Sequence, residues 1–263
     1  FAGTLACLAS GGASSSAKAP TSEFAMLIAQ LSDIHLDGVS SLQRLDRVLQ
    51  WVAELRPDAV AVSGDLANNA HVANYAVLKA RLEALGALLL VVPGNVDSRE
   101  AMREVFGGPA QGPLNRVIEV SGIRLIGLDV IVPGAVHGDA APVVGWLEAA
   151  LNSGGAPALL FLHQHPFDSG MDHYETIDCR NKEGLASVIA AASDTVLGIS
   201  CGHLHRPMFT RFAGVPASLA PAIAPMGGLA ADGRKMPASD PPGLLVHHLK
   251  GGHLVTHLIS IGG

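Results

Sequence analysis

Five short, largely apolar runs, each followed directly by polar residues, set the pattern of this chain. A continuous apolar run of a few residues is typical of a strand that is buried on both faces. The runs are Leu27–Leu31, Ala59–Val62, Leu88–Val92, Ala158–Leu162 and Thr195–Ser200. We therefore expect five buried strands, each ending in a loop that carries polar side chains.

Helical periodicity alternates with these runs. Apolar residues recur at helical spacing within residues 42–52, 72–85, 143–151 and 183–192, and residues 99–106 predict a shorter helix. Alternating strands and helices predict a mostly parallel α/β sheet, whose ligands bind at the carboxyl ends of the strands. The turn at Ser121–Gly122 predicts a hairpin that begins a second sheet, and the tail predicts strands near 209–212, 244–249 and 254–261.

The chain of 263 residues is long enough for one large α/β domain, and we interpret it as a single domain. Residues 1–25 show no hydrophobic period and do not begin with methionine. We expect them to be a leader, most simply a vector-derived one, and the domain to span residues 26–263. Thr4–Cys7 resembles the end of a lipoprotein signal, but the charged start and long apolar core of such a signal are missing.

The composition and net charge of the chain argue against some kinds of binding partner. Hydrophobic residues make up 49% of the chain and charged residues 15%, as in a globular protein, and no run approaches the ~20 apolar residues of a membrane span. The net charge of −6, without a basic run, argues against a nucleic-acid polymer or a membrane as partner. Three scattered cysteines are compatible with a reducing compartment, so we expect a cytoplasmic protein.

The loops after the first two runs carry candidate metal ligands. Asp33 and His35 stand two positions apart, so in an extended segment both side chains can face one ion. The alternative is an aspartate and a histidine that are merely solvated. Asp65 follows Gly64, and its two carboxylate oxygens can bridge two cations, although a Gly-Asp pair is also common in plain turns.

The other three loops add carboxamide, carboxylate and imidazole groups. Asn95 and Asp97 follow the third run, His163 and His165 the fourth, and His203 and His205 the fifth. Two histidines on either side of one leucine can also be surface residues in a turn. However, all five apolar runs end in polar side chains, and this favours a metal site. Such ligands suit manganese, iron, zinc or cobalt, and the sequence does not choose among them.

Together these motifs resemble those of the calcineurin-like metallophosphoesterases in order and approximate spacing. The motifs are Asp33-x-His35, Gly64-Asp65, Gly94-Asn95-x-Asp97, Leu160-x-x-His163 and Gly202-His203-x-His205. The resemblance covers residues 26 to about 261 and extends to the bacterial branch of class III cyclic-nucleotide and glycerophosphodiester phosphodiesterases. It implies a single-domain α/β fold, the four-layer α/β/β/α sandwich, with two metal ions side by side.

The resemblance also implies roles for individual residues. One ion would be held by Asp33, His35 and His205, the other by Asn95, His163 and His203, with Asp65 bridging them. His163 is preferred to His165 because it stands at the family's position directly after the strand, which leaves His165 as a substrate-side or structural histidine. The catalytic residues would be Asn95, Asp97 and His203, and the substrate contacts Asn95, His137, His165 and His203. Val96 stands where the family usually has a histidine that stabilises the phosphate or protonates the leaving oxygen.

The implied activity is hydrolysis of small phosphodiesters, cyclic nucleotides or glycerophosphodiesters, by in-line attack of a hydroxide held between two divalent or trivalent ions. The alternatives are a phosphomonoesterase of the same family and a metal-binding interaction module with little catalytic activity. A DNA nuclease would need a basic groove, which this composition does not offer. We also consider a homodimer.

Overall fold

The computed structural model describes residues 25–69, 71–229 and 235–262 of the chain. Its helices are α1 (Val39–Leu55), α2 (Val72–Glu83), α3 (Arg99–Phe106), α4 (Ala141–Asn152) and α5 (Lys182–Ala191). Its strands are β1 (Ala25–Leu31), β2 (Ala59–Ser63), β3 (Leu88–Val92), β4 (Arg116–Val120), β5 (Ile123–Gly127), β6 (Gly138–Asp139), β7 (Ala158–Phe161), β8 (Cys179–Arg180), β9 (Val196–Cys201), β10 (Met208–Phe212), β11 (Val215–Leu219), β12 (Met226–Leu229), β13 (Lys235–Asp240), β14 (Gly243–Lys250) and β15 (His253–Ser260).

Two large sheets form the centre of the fold. The first has the order β15-β14-β1-β2-β3, and the second has the order β10-β11-β9-β7-β5-β4. The central pairs are parallel, β1 with β2 and β2 with β3 in one sheet, and β5, β7, β9 and β11 in the other. The outer strands are antiparallel. The predicted parallel pairing is therefore confirmed for the strands that are followed by the predicted ligand residues.

Three buried clusters show how the layers stack. On the outer face of the first sheet, Leu45 of α1 and Leu78 of α2 belong to the same cluster as Val60. On the outer face of the second sheet, α4 and α5 pack in the same way through Leu147 and Leu185. The third cluster lies between the sheets and consists of apolar side chains from both, among them Ile28, Ala61, Leu125 and Phe161. The predicted four-layer α/β/β/α sandwich is confirmed.

Some elements were not predicted. Strand β11 contains Pro216, which removes a backbone donor and hides a strand pattern. The segment 167–181, expected as a plain loop, contains a short 3-10 helix, Asp172–Tyr174, and the two-residue strand β8. Ala25 belongs to β1, whereas the rest of the expected leader lies outside the described residues. Within the described part of the chain, no helix has the length and apolar character needed to cross a membrane.

Candidate metal centre

The predicted ligand residues all lie where strands end, and many of them have an uncommon backbone conformation. In the described chain nine residues other than glycine have positive φ, and five of them are predicted ligands: Asp33, His35, Asp65, His203 and His205. Such conformations cost free energy and cluster at functional sites. The loops therefore turn sharply enough to bring side chains from both sheets to one place.

The first group of ligands gathers around His35. Its Nε2 atom lies 3.1 Å from Nε2 of His205 and 3.5 Å from Oδ2 of Asp65. Asp33 closes the group, because its Oδ1 lies 3.3 Å from Nε2 of His205. One ligand atom from each of these four residues falls within 4.8 Å of the others. This is the arrangement predicted for one ion together with the bridging carboxylate.

The second group gathers around His163. Its Nε2 atom lies 3.3 Å from Oδ1 of Asp65, 3.2 Å from Oδ1 of Asn95 and 3.2 Å from Nδ1 of His203. Asp65 therefore turns one oxygen to each group, as a bridging ligand would. The backbone N–H of Val96 also donates to Oδ1 of Asp65 at 3.0 Å.

The hydrogen bonds of the imidazoles show that the second group fits a cation. Nδ1 of His163 lies 2.7 Å from the carbonyl oxygen of Ser63, and Nε2 of His203 lies 2.9 Å from that of Ile177. A carbonyl only accepts, so those nitrogens carry protons, and in neutral rings the opposite nitrogens would present lone pairs. These opposite nitrogens face each other at 3.2 Å, so a positive charge must lie between them: a proton on His163 in the metal-free protein, or a metal ion that displaces it.

Burial and charge act together on the acids and bases of this site. Burial alone would raise the pKa of Asp33, but the imidazoles of His205 and His163 outweigh it and hold the pKa below its usual range. Burial opposes protonation of His163, yet the carboxylates of Asp65 and Asp33 raise its pKa to about 9. Burial and the neighbouring His163 lower the pKa of His203 to about 3, so His203 is neutral at pH 7.

Asp97, predicted as catalytic, holds backbone in place. Its two oxygens accept hydrogen bonds from the N–H groups of Leu66, Ala67 and Gly94 and from the hydroxyl of Tyr75. Burial and the charge of Asp65 raise its pKa to about 7, although these hydrogen bonds oppose the shift. Both oxygens are engaged in holding the loops that carry Asp65 and Asn95, and a catalytic role for Asp97 stays a prediction.

His165, predicted to contact substrate, is buried. Its exposed fraction is 0%, and neither ring nitrogen has a hydrogen-bond partner in the described chain. The ring lies edge-on to Phe167 and 6.3 Å from the ring of His203, between centroids. Burial lowers its pKa to about 4. In this structure His165 packs beside Phe167 and His203, as the structural alternative expects, and contact between His165 and substrate stays a prediction.

His137 lies in the loop before β6 and is half-buried. Among the described contacts, no hydrogen bond joins it to a ligand residue. Its neighbour Val136 accepts a hydrogen bond from the side chain of Gln164, at 3.1 Å, and Gln164 directly follows His163. The loop therefore borders the site, and contact between His137 and substrate stays a prediction.

Several supporting groups were not predicted. Oδ1 of Asn68 lies 2.6 Å from Nδ1 of His35 and fixes that ring, and Arg99 forms a two-pronged ion pair with Asp129 beside the Asn95 loop. The Asn68–Asn69 pair just after Asp65 was a usable signal for the first. No sequence pattern indicates the carbonyl groups of Ser63 and Ile177, because which carbonyl faces which imidazole depends on the tertiary fold.

Two glycines are required by close approach. A Cβ atom on Gly94 would collide with the Asp65 carboxylate and backbone, and one on Gly64 would lie 2.5 Å from Nδ1 of His163. Gly64 also has a φ of 95°, which side-chain-bearing residues rarely adopt. Gly94 lets the loops after β2 and β3 of the first sheet touch at Asp65, and Gly64 lets the loop after β2 approach His163 of the second sheet.

Comparisons with known proteins identify the family of this chain. The family model described as calcineurin-like phosphoesterase matches residues 26–207. A cAMP/cGMP dual specificity phosphodiesterase of Mycobacterium tuberculosis is 35% identical over 78% of this chain and 69% of its own, and a probable glycerophosphodiester phosphodiesterase of Arcobacter nitrofigilis is 28% identical over 90% and 94%. The crystal structure of a dimetal phosphatase from Danio rerio matches with a TM-score of 0.66 at 14% identity, covering 90% of this chain and 99% of that one. The chain belongs to the calcineurin-like phosphoesterase family.

Proposed function

We propose that the protein is a two-metal phosphodiesterase that hydrolyses small phosphodiesters, with cyclic nucleotides and glycerophosphodiesters as the substrate classes. The observation that carries the proposal is Asp65, whose two oxygens lie 3.5 Å and 3.3 Å from imidazoles of two separate ligand groups. The names of the two relatives in the preceding paragraph support the substrate classes.

Asp33, His35 and His205 would hold one ion, Asn95, His163 and His203 the other, and Asp65 both. Two such ions would bind the phosphate oxygens and lower the pKa of a water molecule into the neutral range. Three carbonyl or carboxamide groups, on Ser63, Asn68 and Ile177, keep the ligand nitrogens turned toward the centre. Mixed imidazole and oxygen ligands support manganese, iron, zinc or cobalt.

Three of the predicted ligands border solvent. Asp33 and His163 are fully buried, whereas His35, Asn95 and His205 are half-buried and border solvent. A cavity of about 210 Å³ opens beside Asn95 and is walled by Arg99 and residues 131–134. We assign the alcohol portion of the diester to this cavity, because it adjoins the ligand that would contact the phosphate.

The location and assembly of the protein stay predictions. We expect a cytoplasmic enzyme, since Cys179 and Cys201 are free thiols in the described chain and a reducing compartment keeps them so. We expect a homodimer through β15, an edge strand without a charged residue that exposes Val255 and Leu258. Sedimentation equilibrium of the native chain and of Val255→Lys tests the dimer.

Rates on matched substrates test the proposed function. The manganese-loaded protein should hydrolyse bis-p-nitrophenyl phosphate faster than p-nitrophenyl phosphate, and should act on cyclic AMP or glycerophosphoethanolamine. Preference for the monoester would favour the phosphomonoesterase. Metal binding without turnover of any of these substrates would favour the interaction module.

A further inference from the structure

The ligands of the metal centre come from both sheets. Asp33, His35, Asp65 and Asn95 follow strands of the first sheet, and His163, His203 and His205 follow strands of the second. The cluster that joins the sheets is apolar, and apolar packing is not directional. Something else must fix how far one sheet is displaced along the other, because a shift of about 1 Å would separate the two halves of a catalytic site.

Gln30 is a polar side chain in this apolar layer. It lies in β1, in the middle of the first sheet, and its exposed fraction is 0%. Its Nε2 atom donates to Oγ of Ser63 at 2.9 Å and to the carbonyl oxygen of Cys201 at 3.1 Å. Its Oε1 atom accepts from Oγ of Ser200 at 2.5 Å and from Nε2 of His247 at 2.8 Å. The carboxamide therefore uses both of its protons and both of its lone pairs.

The surrounding hydrogen bonds allow only one orientation of this amide. The carbonyl oxygen of Cys201 only accepts, so the amide nitrogen of Gln30 must face Cys201 and Oε1 must face His247. Burial lowers the pKa of His247 to about 3, so the ring is neutral, and its Nε2 atom carries the proton that Oε1 of Gln30 accepts. The Nδ1 atom of His247, 2.9 Å from the hydroxyl of Thr256, is then the acceptor in that contact. Ser200 in turn takes a hydrogen bond from Ser218 at 2.7 Å. The network is complete, which is the condition under which buried polar groups specify one packing arrangement.

The contacts of Gln30 lie directly beneath the ligands of both sheets. Ser63 ends β2 two residues before Asp65, and its carbonyl oxygen holds His163 at 2.7 Å. Cys201 ends β9 two residues before His203. Gln30 itself stands three residues before Asp33. One carboxamide thus binds the last residue of a strand in each sheet and lies on the strand that leads to a third ligand loop.

We propose that Gln30 is a positioning residue for the metal centre, and that its carboxamide fixes the register between the two sheets that each supply half of the ligands. This inference rests on the two-metal centre proposed above. It assigns to Gln30 no contact with substrate or metal. Its effect passes through Ser63 and Cys201 to the ligand loops.

The test is the affinity of the metal-free protein for Mn²⁺, measured by calorimetry, together with the electron paramagnetic resonance spectrum of the loaded protein. Gln30→Met keeps the length of the side chain and removes all four hydrogen bonds. Loss of groups that orient ligands weakens metal binding by about 10–100-fold, so we expect a loss of that size and a loss of the coupled two-manganese signal.

Arg124→Met is the matched control. Arg124 is also buried and donates to the backbone carbonyl groups of Ala150 and Ala156, but it joins β5 to the end of α4, away from the ligand loops. We expect it to lower stability and leave Mn²⁺ affinity unchanged. Ser63→Ala, which removes one contact of Gln30, should weaken Mn²⁺ binding by about tenfold and serves if Gln30→Met does not fold.

The outcomes separate this inference from the proposed function. If the native chain binds two Mn²⁺ ions with a coupled signal and both the Gln30 and Ser63 variants do the same, the positioning role is wrong and the metal centre stands. If Arg124→Met weakens binding as much as Gln30→Met, general destabilisation explains the effect and the inference is also overturned. If the native chain does not bind two ions, the proposed function itself fails.

Discussion

Oδ1 of Asp65 lies 3.3 Å from Nε2 of His163, although the two residues follow strands of different sheets. The carboxylate and the imidazole are both buried, and the charge of each stabilises the other. This contact is where the two halves of the metal centre meet. The predictions below follow from it and from the groups around it.

Metal binding should release a proton. The carboxylates of Asp65 and Asp33 raise the pKa of His163 from 6.5 to about 9, so the metal-free protein is protonated there at pH 7. The ion must displace that proton, and we expect about one proton released per chain and an affinity that rises about tenfold per pH unit from pH 7 to pH 9. Calorimetry in buffers of different ionisation enthalpy measures both quantities.

The same pKa has a consequence for the stability of the metal-free protein. Because the folded-state pKa of His163 is raised, its stabilising contribution is present below pH 6.5 and is lost as the pH rises through about 9. His163→Asn should abolish the proton release. An affinity independent of pH between 7 and 9 would contradict this assignment of the proton.

Replacing Gly94, which lies in a loop, should lower diesterase activity by displacing the Asp65 carboxylate. In Gly94→Ala the new Cβ collides with the Asp65 carboxylate, and we expect diesterase activity to fall by about 10²-fold or more. Gly145→Ala is the control, because beyond its own helix backbone and chain neighbours no atom of the described chain lies within 4 Å of its Cβ position, and alanine favours α4 by about 1 kcal/mol. Similar activity in the two variants would show that the close approach is not needed.

His165 should be dispensable for substrate binding. Burial lowers its folded-state pKa from 6.5 to about 4, so the protein loses stability as the pH falls from 6.5 toward 4. His165→Leu removes a buried polar ring without partners in the described chain, and it should reduce this acid sensitivity while changing kcat/KM by less than about threefold. Thermal unfolding against pH and steady-state kinetics measure the two effects, and a large rise in KM would restore the substrate-contact role.

An imidazole at residue 96 should raise kcat/KM most for diesters with a poor leaving group. Val96 already holds Asp65 through its backbone N–H, at 3.0 Å, and this contact survives any side chain there. Val96→His would add a proton donor, an effect that contributes about 10²–10⁴-fold to alkyl diesters and little to nitrophenyl diesters. Val96→Phe supplies a ring of similar size without a proton. Equal slopes of log kcat/KM against leaving-group pKa in both variants would rule out general-acid catalysis from this position.

Much of the fold, and the place where the candidate ligands gather, could be predicted from sequence because local patterns determine them. The apolar runs correspond to β1, β2, β3, β7 and β9, and the polar residues after them meet at one edge. The roles of Asp97 and His165 could not be predicted in this way. Both stand beside ligands in sequence, but Asp97 turns back onto the N–H groups of Leu66 and Gly94, and His165 turns into the core.

The role of Gln30 could not be predicted from sequence either. In the sequence it is a polar interruption of a strand, which usually indicates an exposed position. Its partners Ser200 and His247 are 170 and 217 residues away along the chain. The pairing of β14 with β1 brings His247 to Gln30, and the packing of the two sheets brings Ser200 there, so no local pattern could identify the network.

The most direct test of the account is the number of Mn²⁺ ions bound per chain and the hydrolysis of bis-p-nitrophenyl phosphate, measured together in the native chain and in Asp65→Asn. Asn offers one oxygen and no charge where Asp65 presents an oxygen to each ligand group. The control is Asp46→Asn, which removes a surface ion pair with Arg81. We predict two ions and hydrolysis in the native chain and the control, and fewer than two ions with at least about 10²-fold lower activity in Asp65→Asn. Two ions and native activity in Asp65→Asn would contradict this prediction.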